Sequence, residues 1–384
     1  MISRKKAIIY GVILVAITFM LTSTFNIVLG GKVVISKDTY EAYKKYNKMI
    51  ALEELVKEDF YKKTSDEELV NSAIKGMFSG LDDPYSQYYT KAEFEKLKEQ
   101  TSGSFVGIGV YISPASDDDN ITIIAPIDGS PAQKSGIKAG DKILKVDGKV
   151  VSSKNSDEAI TLIKGKKGTE VDLTIKRGEQ ILDIKVKREE IVSKTVEDKL
   201  LDDNIGYIKI TSFSEHTNKE FETALNTLKE DNIKGLVIDL RDNPGGLLNV
   251  CKDIADSLIG EGTIVYTKDN KGNTEYLKSD SKKLGLPIAV LTNEGSASAS
   301  EILTGAIIDN KAGISVGTTT FGKGLVQSVR ELKDGTGFKL TTAQYFTPNG
   351  DYINGKGIKP TIEEKDEAKQ LDTAVEWIKE QINK

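Results

Sequence analysis

NIGYIKITSF (204–213), NKEFETALNTLKEDN (218–232) and IKGLVIDLRD (233–242) read in order as a strand, an amphipathic helix and a buried strand. The alternation continues downstream. LLNVCKDIADSLI (247–259) has helical spacing, LPIAVLTN (286–293) is a strand, SASEILTGAIIDN (298–310) a helix, and AGISVGT (312–318) a strand. Strands alternating with helices predict an α/β core with a largely parallel sheet covered on both faces. Functional residues are then expected beyond the carboxyl ends of the strands, where loops converge. The polar insertion YTKDNKGNTEYLKSDSKK (266–283) predicts a hairpin around Asn270–Gly272. EWIKE near the end predicts a closing helix.

Working towards the N-terminus, residues 103–188 change character. Short β-rich pieces (GSFVGIGVYI, NITIIAPI, DKILKVDGKVV, TEVDLTIKRG, QILDIKVKR) alternate with glycine turns around one helical piece, SDEAITLIKG. This predicts a small β-rich domain. Residues 37–100 are charged and helical in pattern, with a capping box at Ser65 and Glu68. At the N-terminus, Arg4, Lys5 and Lys6 precede an uncharged run from Ala7 to Gly31. That run has the ~20 residues a helix needs to cross a bilayer. The expectation is a single-pass signal-anchor with the body outside the cytoplasm. A cleaved signal peptide is the alternative, with Ser23 and Gly31 marking the small residues, and would give a secreted form. The resulting division is anchor 1–36, helical region 37–100, β-rich domain 101–190 and α/β core 191–384.

Composition narrows the chemistry. The chain has 384 residues and a net charge of −5, which gives no footing for nucleic-acid binding. A single cysteine, Cys251, excludes an intramolecular disulfide and reads as a buried structural thiol. The single histidine, His216, lies in the polar stretch TSFSEHTNKE and reads as a helix-cap or surface residue. A Ser-His-Asp triad would rest on it alone, and a catalytic zinc site would lack ligands. No cofactor or metal is called for.

Three motifs remain. In LTNEGSASASEILTGA (291–306) a buried strand turns tightly into a helix. This presents a hydroxyl beside the unpaired N–H groups of a helix start. Ser296, Ser298 and Ser300 all compete for the nucleophile role, and Ser296 also suits an N-cap. GTTTFGKGLVQ (317–327) sets Lys323 between two glycines. A lysine serves as base when burial or positive neighbours lower its pKa. Gln327 follows as a polar group suited to orient it. In DLRDNPGG (239–246), Gly245 or Gly246 can offer a backbone N–H, while Asp239, Arg241 and Asp242 also suit ion-pair or capping roles. Neither glycine loop fits a phosphate-binding GxxxxGK[ST].

GSASASE, FGKGLVQ and DLRDNPGGLL together resemble the carboxyl-terminal processing peptidases (tail-specific proteases) of peptidase family S41. GLDDPYSQYY (80–89), FVGIGVYI (105–112), APIDGSPAQKSGIKAGDKILKVDGK (125–149) and TTAQYFTPNG (341–350) extend the resemblance over nearly all the chain after the basic run. It implies a PDZ domain in the middle of the chain and a crotonase- or ClpP-like catalytic core. It implies Ser298 as nucleophile, Lys323 as general base and Gln327 as the supporting glutamine. Oxyanion donors would be the N–H of Ala299 and of Gly245 or Gly246. Gly107, Ile108, Gly109 and Val110 would receive a substrate's terminal carboxylate. The implied function is a serine endopeptidase acting through an acyl-enzyme on protein or peptide substrates with accessible carboxyl-terminal tails. A homo-oligomer or a regulatory partner is left open.

Overall fold

A computed structural model describes residues 3–24, 28–29, 32–33, 35–113 and 119–384, with side chains from 20 to 34 outside that description. The chain forms two compact units, residues 1–77 and 78–384.

The first unit is helical. Helices span Arg4–Thr24 and Lys37–Asp59, and a third, Asp66–Ser79, begins in it. Ser36 caps the second helix by accepting from Thr39 N–H at 3.1 Å. Ser65 and Glu68 form the reciprocal capping box, at 3.1 and 3.2 Å. The membrane anchor requires correction: among the described residues, no helix is long and apolar enough to cross a membrane. The single-pass topology, the membrane as partner and the membrane location fall with it. Gly31 and the side chain of Ser23, on which the cleavage reading turned, lie outside the described residues.

In the second unit, the β-rich part is an antiparallel sheet. Its order is Gln180–Lys187, Glu170–Arg177, Lys142–Val146, Ile121–Pro126, Val110–Ser113. Alternation along Glu170–Arg177 buries Val171, Leu173 and Ile175 against Ala159 and Ile163 of the Ser156–Ile163 helix. Asp141 is buried within it and held by Arg177 through two 2.7 Å bonds. The chain enters this part on Ser104–Gly107 and leaves on Glu189–Val192, and these two strands pair with each other.

The core carries a six-stranded sheet: Val196–Leu201, Ile205–Ile210, Gly235–Asp239, Ile288–Thr292, Gly313–Gly317, Ile362–Glu363. All its pairings are parallel except the first, which is antiparallel. Ile208, Ile238 and Val290 face the helices Thr217–Glu230, Leu248–Leu258 and Ala299–Asp309. Their neighbours Tyr207, Val237 and Leu291 face the closing helix Glu367–Ile382. Burial on both faces explains why these strands read as unbroken apolar runs.

A crotonase- or ClpP-like core is not what forms. After Gly313–Gly317 the chain doubles back through Leu325–Glu331 and Gly337–Phe346 into a separate antiparallel sheet with Gly262–Asp269 and Thr274–Ser279. Gln87–Tyr89 adds a strand to it from far upstream. The architecture is α/β with mixed sheets plus the β-rich domain, and the second sheet carries the loop containing Lys323.

Candidate active site

Ser298 sits where the Ile288–Thr292 strand turns into the Ala299–Asp309 helix. Its backbone is at φ +56°, ψ −111°, a sparsely populated region for a residue with a side chain. Such strain at a strand-to-helix turn thrusts a hydroxyl clear of the backbone. The two competing serines are committed elsewhere. Ser296 is buried; its Oγ donates to Leu240 C=O at 2.7 Å and accepts from Asn293 N–H at 3.0 Å. Ser300 is buried and its Oγ donates to Asn243 C=O at 2.9 Å. Ser298 is half-buried and lines a cleft of about 550 Å³.

The 239–246 loop is clamped against this turn. Asn293 Nδ2 donates to Asp242 Oδ1 and Asp242 N–H to Asn293 Oδ1, both at 2.9 Å. Buried Asn243 accepts Ala297 N–H on its carbonyl at 3.0 Å and donates Nδ2 to Ile210 C=O at 2.8 Å. Only glycine fits at 245. Its φ is +98°, and a Cβ there would lie 2.7 Å from Ala297 O and 2.9 Å from Ser298 Cβ. Gly245 donates its own N–H to Asn243 Oδ1 at 2.8 Å. Asp239 and Arg241 are structural. The carboxylate takes a forked guanidinium contact and the Tyr207 hydroxyl at 2.7 Å, and these hold it below the usual carboxylate range against the cost of burial.

Lys323 and Gln327 line the same cleft. Gly322, at φ +88°, lets the loop pass 357: a Cβ there would meet Gly357 N at 2.8 Å. Burial holds the Lys323 amine below its ordinary value, Lys339 adds to this, and Glu301 and Asp83 oppose it. Lys323 Nζ lies over the Tyr85 ring, 4.6 Å from its centre. Gln327 Nε2 donates to Thr341 Oγ1 at 3.3 Å. The serine and the lysine thus share a cleft, with the amine resting on an aromatic face.

Sequence reasoning missed the residue that ties these loops together. Glu301 is fully buried. Its Oε2 accepts the N–H of Ser298 at 2.8 Å and of Lys323 at 2.9 Å. Its Oε1 accepts Gly322 N–H at 2.7 Å and Thr320 Oγ1 at 2.6 Å. One carboxylate fixes the backbones of both candidate catalytic residues. The available signal was its place three residues after Ser298, the capping-box spacing. Cys251 is the buried thiol expected; its Sγ donates to Ala299 C=O at 3.1 Å, and burial pushes the thiol pKa well up. His216 stands at the N-cap of the Thr217–Glu230 helix and is not among the cleft residues. Among the described residues no acidic, histidine or cysteine cluster is placed to hold a metal.

Gly107, Ile108 and Gly109 are buried, Val110 is half-buried, and none of the four lines the cleft. The Ile108 and Gly109 carbonyls accept from Ala132 N–H at 2.9 Å and Ile127 N–H at 3.0 Å. Val110–Ser113, which follows, is the edge strand of its sheet.

The model of peptidase family S41 matches residues 204–364 and the PDZ domain matches 96–176. The N-terminal domain of the activating protease CtpB matches 26–93. The carboxy-terminal processing protease CtpA of Bacillus subtilis is 41% identical over 358 residues, 92% of this chain and 75% of that one. The chain belongs to peptidase family S41. A probable CtpA-like serine protease of Staphylococcus aureus is 42% identical over 321 residues, 82% of this S41 peptidase and 64% of the relative. The photosystem II D1 C-terminal processing protease shares the fold, with a TM-score of 0.51 and 27% identity over 90% of this chain and 98% of that one. The mixed-sheet core is therefore that of an S41 peptidase, and the enzyme is a serine endopeptidase of the carboxyl-terminal processing kind.

Proposed function

We propose that Ser298 is the nucleophile, Lys323 the general base and Gln327 the residue that orients the base. The observation that carries this is the division of labour among the three serines. Ser296 and Ser300 spend their hydroxyls holding loops, while Ser298 lines the cleft that Lys323 also lines. For the oxyanion, Ala299 N–H at the helix start and the 245–246 loop are the candidate donors. Gly245 already gives its N–H to Asn243, so Gly246 is the donor we favour from that loop.

Neutral Lys323 takes the Ser298 hydroxyl proton as Oγ bonds to the scissile carbonyl carbon. Collapse breaks the C–N bond, and the leaving amine receives the proton from Lys323. Water then attacks the acyl-enzyme, gives one proton to Lys323 and releases the new carboxylate. Lys323 returns that proton to Ser298. The depressed amine pKa supports the lysine's part, because only the neutral form accepts a proton.

The substrate is an extended polypeptide with a free carboxyl-terminal tail. Two features support tail capture at Gly107–Val110. The stretch leads into an edge strand, which can pair with an added strand. Val110 and Ile112 also belong to one apolar cluster with Ala159 and Ile163, which supplies pockets for side chains. The test is mass spectrometry of a flexible protein substrate, its tail intact or removed, incubated with the full chain. Tail-dependent fragments that vanish in Ser298→Ala and in Lys323→Ala are expected. Fragments from Ser298→Ala would sink the assignment, and equal cleavage without the tail would sink tail capture.

A further inference from the structure

The loop carrying Lys323 meets a segment from far upstream that lies outside the S41 match. Tyr85 belongs to GLDDPYSQYY, and its ring faces the Lys323 amine at 4.6 Å. The segment is pinned in place. Ser86 Oγ donates to Asp83 Oδ2 at 2.5 Å and accepts Thr341 N–H at 2.9 Å, and Asp83 Oδ1 accepts Tyr85 N–H at 3.1 Å. Gln87–Tyr89 then pairs with Gly337–Lys339, which sets Lys339 opposite Gln87. Lys339 lines the cleft with Lys323. The amine is thus faced by Tyr85 and Asp83 from this segment, by Lys339 from the Gly337–Phe346 strand, and by Glu301 from the Ala299–Asp309 helix.

We propose that Tyr85 is a positioning residue for the base, its ring face holding the protonated Lys323 amine in a waiting position that the like charge of Lys339 opposes. The proposal rests on Lys323 being the general base. An aromatic face attracts an ammonium and has little hold on a neutral amine. Tyr85 therefore favours the form that cannot accept the Ser298 proton, and the like charge of Lys339 favours the form that can. The segment upstream of the PDZ domain thereby sets the pH range in which the downstream domain works.

Tyr85 and Lys339 act on the amine with opposite sign. kcat/KM for a short peptide substrate is measured against pH for the full chain and four variants. Tyr85→Leu removes the ring and is expected to move the acid limb to lower pH by about half a unit to one unit. Tyr85→Phe keeps the ring and is expected to return the limb to its original place. Lys339→Gln removes the opposing charge and is expected to move the limb to higher pH by about half a unit. A limb unmoved in Tyr85→Leu, or moved the same way in it and in Lys339→Gln, overturns the proposal. If Tyr85→Leu does not fold, Tyr85→Met takes its place as the ringless variant and carries the same expectation. Lys323→Ala separates the two levels. Residual turnover in it would sink the base assignment itself, whereas a dead Lys323→Ala with unmoved limbs in the other variants sinks only the role of Tyr85.

Discussion

Glu301→Gln is expected to damage stability and activity together, by an amount the geometry allows to be worked out. The carboxylate is fully buried and accepts on both oxygens: Thr320 Oγ1 and Gly322 N–H on one, Ser298 N–H and Lys323 N–H on the other. Thr320 Oγ1 also accepts Ile358 N–H at 2.7 Å, so turning to accept from an NH2 as well would leave its own O–H without this acceptor. Glutamine keeps the shape but replaces one oxygen by an NH2. Either amide orientation points that NH2 at two donors. Two hydrogen bonds to a charged acceptor are lost, at about 1.5–3 kcal/mol each, so the cost is about 4 kcal/mol. Against a typical domain stability of about 5–15 kcal/mol this is large, and corresponds to a fall of about 10 °C in melting temperature. The loosened tether displaces nucleophile and base together, and a shift of about 1 Å is enough to cost about a hundredfold in rate. Thermal unfolding and peptide cleavage on the same preparation give both numbers. A variant melting within about 2 °C of wild type and cutting within about twofold of it would refute the reasoning.

Ser298→Ala is expected to abolish cleavage with a stability change of no more than about 0.5 kcal/mol, whereas Ser300→Ala keeps the nucleophile and loses about 1 kcal/mol from its buried bond to Asn243, as chemical denaturation would show. Lys323→Met is expected to stabilise the protein at neutral pH while ending activity. The folded amine titrates below the ordinary 10.5, so the unfolded chain binds more protons in that window and the wild type is penalised below the folded pKa. The gain should shrink as pH rises towards 10.5; a gain that is flat with pH would contradict the burial argument. Gly245→Ala is expected to lose cleavage and melt lower, because its Cβ would press on Ala297 O at 2.7 Å and Ser298 Cβ at 2.9 Å, and full activity in this variant would show that the two loops are not locked as described.

Much of this was legible in the residues. The run of strands and helices from 204 to 318 could be read because burial on both faces leaves near-continuous apolar strands, and amphipathic helices such as Thr217–Glu230 keep their spacing. The hairpin at Asn270–Gly272 followed from turn chemistry alone. What escaped were contacts closed over long distances. The donors to Glu301 come from a loop some twenty residues on, and nothing local distinguishes it from an ordinary helix-start glutamate. Tyr85 has no local tie to Lys323 in the sequence; Gln87–Tyr89 joining the second sheet brings it there. The three serines could not be ranked from physics before their partners were seen, because what sets Ser296 and Ser300 apart from Ser298 is the distant carbonyls their hydroxyls bond. The membrane-anchor reading rested on hydropathy summed across Ala7–Gly31, and no described helix is long and apolar enough to span.

The most direct test of the account is the site of acylation. The full chain is incubated with an activated peptide ester, quenched in acid during the burst and digested for peptide mass spectrometry. The account predicts an acyl mass on Ser298, absent in Ser298→Ala and slow to form in Lys323→Ala. An acyl group on Ser296 or Ser300, or steady hydrolysis with no acyl-enzyme on any serine, would contradict it.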